Sequence, residues 1–314
     1  MILVAGSANL DFVVRAEHIP GPGETVLGHA FKTYPGGKGA NQAVACARAG
    51  GASTHMLLAL GDDTYARPLE DSLKAAGVQL HVLRCGQEPT GTAFICVSDD
   101  AENAITVAPG ANALLAAEHL PPLLGYSHLL MQLETPLETV ITYARGARAA
   151  GVKVVLNAAP AQALPAELLA LTDILIVNEG ELAAIAASDA GIAACLGKVL
   201  VPVVVVTLGA RGCCARVGSD YLLQNAFPVK PVDSTGAGDT FCGVLVAALD
   251  SGLELAAALR QASAAGALAC LVPGAQSSIP AAHAVADFVQ RQSPSPDTGA
   301  LRAYCGIPAA GLNP

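Results

Sequence analysis

Charge is scarce in this chain. Asp, Glu, Lys and Arg make up 14% of its 314 residues, against 53% hydrophobic residues. A sequence so apolar and so weakly charged does not have the composition of a disordered chain. Basic residues are scarcer still: 17 Lys and Arg against 26 Asp and Glu leave a formal net charge of −9, with a pI near 5.2. A general nucleic-acid binder needs a basic face from which counterions are released, and this balance argues against one. Long unbroken hydrophobic runs are missing, although the mean hydropathy is +0.48. The uncharged stretch from Gln261 to His283 is interrupted by Gly266, Pro273, Gly274, Gln276, Ser277, Ser278 and Pro280. Val199 to Ala210 is too short to span a bilayer and contains Pro202. The N-terminal MILVAGSANLDFVV has no basic n-region and reaches Asn9 and Asp11 too early for a secretory signal peptide. A cytoplasmic protein with no membrane partner is expected. No CxxC pair occurs among the nine cysteines, an odd number with one adjacent pair, Cys213 and Cys214. That usage fits a reducing compartment and small buried hydrophobes better than a metal site or disulfide framework. Two phosphate-binding signatures are also absent. There is no GxGxxG after the first apolar run, which argues against a nicotinamide oxidoreductase, and no GxxxxGK[ST] loop.

What is present is alternation. Ile2 to Ala5 reads as a buried strand, Lys38 to Ala49 as a helix stopped by Gly50-Gly51, Thr54 to Leu60 as a strand and Asp63 to Ala76 as a helix. From Ser127 onward strands over 128–131, 152–156, 174–177 and 203–208 alternate with helices over 137–150 and 179–187. Helices over 236–249, 253–270 and 281–289 follow. The β-branched run Val203 to Val206 suits a strand covered on both faces. This pattern predicts an α/β sandwich on a largely parallel sheet. Two stretches that do not alternate, near 11–34 and 88–108, are expected to pair as one small lid sheet, with a polar turn over Asp99 to Asn103. The Pro-, Gly- and Ala-rich tail over 292–314 is expected to be poorly ordered.

Ligands of α/β sheets gather beyond the carboxyl ends of the strands, and the polar clusters of this apolar chain fall there. Asn9 and Asp11 offer the donors and acceptors that vicinal hydroxyls need, although Asn and Asp are also ordinary turn residues. Pro35-Gly36-Gly37-Lys38-Gly39-Ala40-Asn41-Gln42 opens a helix with glycines that let backbone N–H groups approach a ligand. Asp233-Ser234-Thr235-Gly236-Ala237-Gly238-Asp239-Thr240 runs into a long apolar helix. The N–H groups of Gly236, Ala237 and Gly238 would form an anion hole at its positive end, with Asp239 in the first turn able to accept a hydroxyl proton. Capping alone needs fewer glycines than this segment carries. Asn178-Glu179-Gly180-Glu181 follows a strand and could position hydrated Mg²⁺ on a nucleotide, although Glu in a first helical turn is common. Thr207-Leu208-Gly209-Ala210-Arg211-Gly212 puts glycines after a buried strand.

Taken in order, GSANLD, PGPGET, YPGGKGANQA, GDD (61–63), TGTA (90–93), VAPGAN (107–112), MQLETP (131–136), VNEGE, TLGARG, DSTGAGDTF and GAQSSIP (274–280) closely resemble the ribokinase family of sugar kinases, the PfkB group, over about residues 1–291. The resemblance implies a three-layer ribokinase-like α/β sandwich with a β lid that often serves as a dimer clasp, hence a homodimer. It implies Asp239 as catalytic base and Gly236, Ala237 and Gly238 as anion hole. Asn9, Asp11, Gly37, Lys38, Gly39, Ala40, Asn41 and Glu134 would contact the sugar. Asn178, Thr207, Leu208, Gly209, Ala210, Arg211, Gly212 and Ser263 would lie on the ATP side, with Gly238 and Asp239 at the junction and Glu181 associated with Mg²⁺ or another divalent cation. Asp233, Thr235, Ala269, Val272, Gly274 and Ser278 would form a K⁺ site. Residues 269–278 follow a helix, and a set of carbonyls, one hydroxyl and one carboxylate suits a monovalent ion better than a divalent one. Glu134 and the PGGKGAN run tilt the implied sugar toward ribose; a fructose, nucleoside or other sugar kinase is the alternative, and a non-catalytic sugar-binding protein is a further one. Two departures stand out. Asn157-Ala158-Ala159-Pro160 replaces the usual Asn-Pro-Ala-Pro, and Ser263 stands where ribokinases often carry an adenine-side Asn.

Overall fold

Ile2 and Val4 point into one apolar layer and Leu3 and Ala5 into the other, all four essentially inaccessible to solvent. A strand with this two-sided burial belongs in the middle of a covered sheet, and β1 (Ile2–Ala5) lies there. In the computed structural model, which describes residues 1–100, 102–292 and 294–308, the other strands are β2 (Asn9–Ala16), β3 (Ala30–Gly36), β4 (Thr54–Gly61), β5 (Gln79–Cys85), β6 (Gly91–Ser98) and β7 (Asn103–Ala108). They continue with β8 (His128–Met131), β9 (Lys153–Asn157), β10 (Ile174–Asn178), β11 (Val203–Thr207), β12 (Gly212–Val217) and β13 (Asp220–Asn225). The large sheet has the order β13-β12-β11-β10-β9-β8-β1-β4-β5. Every neighbouring pair from β5 to β11 is parallel, and the β12–β13 hairpin is added antiparallel at one edge.

The helices are α1 (Lys38–Val44), α2 (Ala66–Ala75), α3 (Leu137–Ala149), α4 (Ala166–Leu171), α5 (Glu179–Ala186), α6 (Ile192–Lys198), α7 (Ala237–Asp250), α8 (Leu255–Ala269), α9 (Ala282–Arg291) and α10 (Gly299–Cys305). Residues of α1, α2, α7, α8 and α9 share one apolar layer, and those of α3, α4, α5, α6 and α10 share the other. The expected three-layer α/β sandwich with a largely parallel sheet is the architecture observed. Helix α1 widens into a π turn over Ala45–Ala49 before Gly50. Asp63 does not join α2: its Oδ1 accepts from the N–H groups of Tyr65 and Ala66, so the helix starts at Ala66. The edge strand β5, the β12–β13 hairpin and the short helices α4 and α6 have no clear apolar period, and the sequence reading passes over them. Among the described residues no helix is long and apolar enough to cross a membrane.

The two non-alternating stretches meet as expected. Strands β2 and β6 pair in parallel from Asn9↔Gly91 to Ala16↔Ser98, with β3 and β7 on the flanks. Ala101, inside the expected turn, lies outside the described residues. On this lid Phe31, Phe94 and Ile105 are exposed, and the Phe12 ring lies 5.4 Å from that of Phe94. The tail differs from expectation. Residues 299–305 form α10, whose Leu301 and Cys305, one turn apart, are buried together with Ile307. Asn225 Nδ2 donates to the carbonyls of Ser295 and Asp297, each at 2.8 Å. An apolar pair at helical spacing inside the Pro- and Gly-rich composition overrides the disorder that the composition suggests. Ser293 and residues 309–314 of that tail lie outside the described residues.

Candidate active site

Helix α7 passes very close to α1. A side chain at Gly243 would place its Cβ 2.6 Å from the Gln42 carbonyl oxygen and 2.5 Å from Ala45 Cβ, so only glycine permits the contact. The approach brings the first turns of both helices together. Asn41 Nδ2 donates to Asp239 Oδ2 and Gln42 Nε2 to Asp239 Oδ1, each at 2.9 Å. The Asp239 carboxylate is therefore fixed through both oxygens. Burial raises its pKa; Lys38 and the two amide donors pull against that, and the result stays above the ordinary Asp value. Lys38 is under the opposite balance. Burial works against its charge, but Asp239, Glu134 and Glu181 outweigh it and keep the ammonium protonated.

On one side of Asp239 lies a polar recess. The buried Asn9 accepts through Oδ1 from Asn112 Nδ2 at 2.8 Å. Glu134 Oε2 accepts from Ser7 Oγ at 2.5 Å and from the Lys38 N–H at 3.1 Å. Asp11 lies near enough to Glu134 and Asp239 to feel both. Burial, then these two carboxylates, push its pKa up to about 7 against the pull of Lys38. Asn41 Oδ1 is buried and has no hydrogen-bond partner. A buried unpaired acceptor beside this recess is an oxygen able to accept from a donor group of a ligand. Gly37 approaches the chain where a Cβ would stand 2.7 Å from the Asn9 nitrogen. Gly39 and Ala40, expected among the sugar contacts, instead give their N–H groups to Ser7, at 3.3 Å to Oγ and 2.8 Å to the carbonyl oxygen. They hold α1 against β1 and have no amide left for a ligand.

On the other side of Asp239 is a cavity of about 190 Å³. Its lining includes Lys38, Asn178, Glu181, Thr207, Gly236, Gly238 and Asp239, which joins part of the expected nucleotide-side set in one space, whereas Leu208, the 209–212 turn, Ala237 and Ser263 do not line it. Gly236 caps α7 in the left-handed region, φ 73°. No backbone oxygen among the described residues accepts from the N–H of Gly236 or Gly238, but Ala237 donates to Ser234 O at 3.2 Å, so two of the three expected anion-hole amides are free. Asn178 and Glu181 form a reciprocal cap: the Glu181 N–H reaches Asn178 Oδ1 and the Asn178 N–H reaches Glu181 Oε2, both at 2.8 Å. That leaves the Asn178 amide NH₂ for a ligand, and burial raises the Glu181 carboxyl above its ordinary pKa. Leu208 is buried in the apolar layer, and Gly209–Arg211 form an exposed turn ending at Gly212. Ser263 is not on this cavity: its Oγ lies 3.8 Å from Cys213 Sγ, between α8 and β12.

The segments expected to hold K⁺ meet beside the α7 N-terminus. Asp233 Oδ2 accepts from the Gly274 N–H at 2.8 Å, and Oδ1 accepts from Thr235 N at 2.9 Å and Thr235 Oγ1 at 2.7 Å. The carbonyl of Ala269 accepts from Val272 N at 3.3 Å, and Ser278 Oγ donates to Ala275 O at 2.8 Å. The donor set is all oxygen with one carboxylate, which fits a hard monovalent cation.

Four residues with no role in the sequence reading belong to the site. Gln132 Nε2 donates to Gln42 Oε1 at 2.6 Å, Gln42 Nε2 also reaches Asn157 Oδ1 at 2.9 Å, and Asn157 Nδ2 donates to Ile176 O at 3.1 Å. Asn112 bridges Ala8 and Asn9. The signal available was a primary amide at the end of an otherwise apolar strand, as in HLLMQ and KVVLN.

The family model described as pfkB family carbohydrate kinase matches residues 1–282. The ribokinase of Haemophilus influenzae is 38% identical over 302 residues, 92% of this chain and 98% of that protein. The ribokinase of Bacillus subtilis is 38% identical over 297 residues, 92% and 99% of the two chains. Among solved structures, the ribokinase of Arabidopsis thaliana complexed with ribose and ATP superposes with a TM-score of 0.84 at 31% identity, covering 92% of this chain and 98% of that one.

Proposed function

This chain belongs to the pfkB family of carbohydrate kinases, and from that premise we propose that it transfers the γ-phosphoryl group of ATP to the 5-hydroxyl of D-ribose, giving D-ribose 5-phosphate and ADP. The observation that carries this reading is the position of Asp239. Its carboxylate is gripped by Asn41 and Gln42, between a recess with Asn9, Asp11 and Glu134 and a cavity with Asn178, Glu181 and Thr207. The sugar hydroxyl presented to Asp239 gives up its proton to the carboxylate as its oxygen attacks the γ-phosphorus in line. The bond from that phosphorus to the β–γ bridging oxygen breaks, and ADP departs. Such transfer depends on positioning and on charge stabilisation more than on covalent chemistry. The free amides of Gly236 and Gly238, the α7 dipole and the Lys38 ammonium supply positive potential where negative charge accumulates. Asn9, Asp11, Gly37, Lys38, Asn41 and Glu134 orient the sugar.

Asn178, Thr207 and the 208–212 turn face the nucleotide in this reading. Mg²⁺ would sit on the phosphates with Glu181 behind it and neutralise part of their charge. K⁺ would be held by Asp233, Thr235 and the oxygens of residues 269, 272, 274 and 278, bracing the loop that carries the anion hole. The lid, 9–36 with 91–108, would close over the sugar and exclude water. Its exposed Phe31, Phe94 and Ile105 are the face we assign to a homodimer contact. The cysteine usage supports a cytoplasmic setting. A panel of pentoses, hexoses and nucleosides, assayed for sugar-dependent ADP release with Mg²⁺ and K⁺ present, tests the proposal. Turnover led by ribose is expected; turnover led by fructose or a nucleoside would move the chain to another member activity of the family, and no ADP release with any acceptor would overturn it.

A further inference from the structure

Helix α10 lies beyond residue 282, where the family match ends. It is firmly seated: Leu301, Cys305 and Ile307 are buried in the same apolar layer as α5 and α6. Tyr304 points the other way and is 43% exposed. Its ring carries the Arg211 guanidinium stacked at 4.1 Å from the centroid, and its hydroxyl donates to Glu179 Oε2 at 2.8 Å. Those two partners belong to separate parts of the nucleotide side. Arg211 ends the exposed turn after β11, and Glu179 opens α5 between Asn178 and the reciprocal cap on Glu181. One side chain from outside the family match thus ties together two loops on which the nucleotide reading rests.

We propose that Tyr304 is a positioning residue for the nucleotide: stacked on Arg211 and anchored to Glu179, it holds the 209–211 turn in register with the α5 N-terminus. This deepens the nucleotide assignment above and depends on it. The turn is closed on itself and on the end of β13 by the Leu208 N–H to Gly212 O, Arg211 N–H to Leu208 O and Ala226 N–H to Arg211 O bonds, but its three residues are exposed and none of these bonds reaches α5. A guanidinium stacked on an aromatic ring supplies a modest but directional restraint. Neither Tyr304 nor Arg211 lines the cavity beside Asp239, so loss of the restraint should weaken nucleotide binding without touching the sugar recess or Asp239.

The test is calorimetric titration of the full chain with Mg·ADP, without sugar or turnover, so its outcome does not depend on which sugar is phosphorylated. Tyr304→Ala is expected to weaken ADP binding by about two- to fivefold, the size of an exposed cation–π contact. Tyr304→Phe keeps the ring over Arg211 but loses the Glu179 anchor, so it should recover only part of that loss. Tyr304→Ala made in an Arg211→Ala background should add little, because the stacking is already gone. In steady-state assays the KM for ATP should rise with the ADP dissociation constant while kcat and the KM for sugar stay put. Unchanged ADP affinity in Tyr304→Ala, a full additional loss in the Arg211→Ala background, or an equal rise in the sugar KM would each overturn the proposal while leaving the kinase reading intact. Absence of ADP binding by the wild-type chain would overturn both.

Discussion

Gln42 Nε2 stands 2.9 Å from Asp239 Oδ1 and shares its NH₂ with Asn157 Oδ1, also at 2.9 Å. The amide cannot turn over without breaking its bond from Gln132, since Gln42 Oε1 accepts from Gln132 Nε2 at 2.6 Å. Gln42 is completely buried and Gln132 nearly so. The orientation of the proposed base is thus set by a line of buried primary amides running across the ends of β8, β9 and α1. Each donor to the carboxylate favours its charged form.

Removing that donor has a readable consequence. Gln42→Leu should raise the Asp239 pKa, because burial continues to push it up and one of its two amide donors is gone. The acid limb of the kcat–pH profile is expected to move to higher pH, with a stability loss of about 1–3 kcal/mol from the partners left unpaired. A profile superimposable on that of the wild type would separate Gln42 from the base.

Asp239→Asn keeps the side-chain volume but removes the proton acceptor. Loss of a general base costs about 10²–10⁴ in rate, so kcat should fall at least that far. Sugar affinity, measured by equilibrium titration, should change little. Near wild-type turnover in the Asn variant would remove Asp239 from the chemistry.

The sequence made the strand ends legible because the chain is so apolar: Asn9, Asp11, Glu134, Asn178 and Asp239 stand out at the ends of buried runs. The two halves of the lid, 82 residues apart in the register Asn9↔Gly91 and Asp11↔Ala93, were readable from their break in alternation, but their parallel pairing was not. What stayed hidden depends on long-range approach. Nothing local in GANQ says that Gln42 faces Asp239; that follows from Gly243 letting α7 close on α1. The family resemblance alone assigns Ser263 to the nucleotide side, and nothing local predicts that its hydroxyl lies 3.8 Å from Cys213 Sγ. The order of the tail was hidden for a compositional reason, since Pro294, Pro296 and Gly299 masked the short apolar face of α10.

Asp11 supports a pair of measurements. With its pKa pushed up to about 7 by burial and by Glu134 and Asp239, the folded chain keeps a proton that the unfolded chain loses near the ordinary value of 3.8. Folded stability therefore declines as pH rises from about 4 to 7 and is flat on either side, with a slope of at most about 1.4 kcal/mol per pH unit from this group. Asp11→Asn should be more stable than wild type in sugar-free urea unfolding at pH 8, with the advantage fading by pH 4. A constant difference across that range would remove Asp11 as its source. In the kinetic assay Asp11→Ala should raise the sugar KM by about one to two decades, from lost bonds to a charged group, and leave the ATP KM nearly unchanged. A rise confined to the ATP KM would reverse the assignment of the two sides of the site.

The proposed cation site supports the last test, because an ion there would act on the reaction without touching substrate. Burial pushes the Asp233 carboxyl up, but the Gly274 N–H and the Thr235 hydroxyl and N–H outweigh it, with Arg15 of the lid adding to them, so it is ionised below the usual carboxylate range. Through those bonds it already joins residues 233–235 to the 269–278 segment, next to the Gly236 cap of α7. A bound monovalent ion would draw carbonyls of the two segments together and stiffen the loop that aims the Gly236 and Gly238 amides. The expected effect is on kcat, since preorganised donors matter most where charge develops. Activity in carefully K⁺-free Tris buffer should rise several-fold on adding K⁺ and much less on adding Na⁺. Asp233→Asn, which keeps one acceptor oxygen for Thr235 but turns an NH₂ toward the Gly274 N–H and loses the charge, should blunt the rise with a modest loss of thermal stability. Asp233→Ala should abolish it. A flat response to K⁺ in the wild-type enzyme, or an undiminished response in both variants, would mean that the 233–235 and 269–278 segments are joined by their own hydrogen bonds and need no ion.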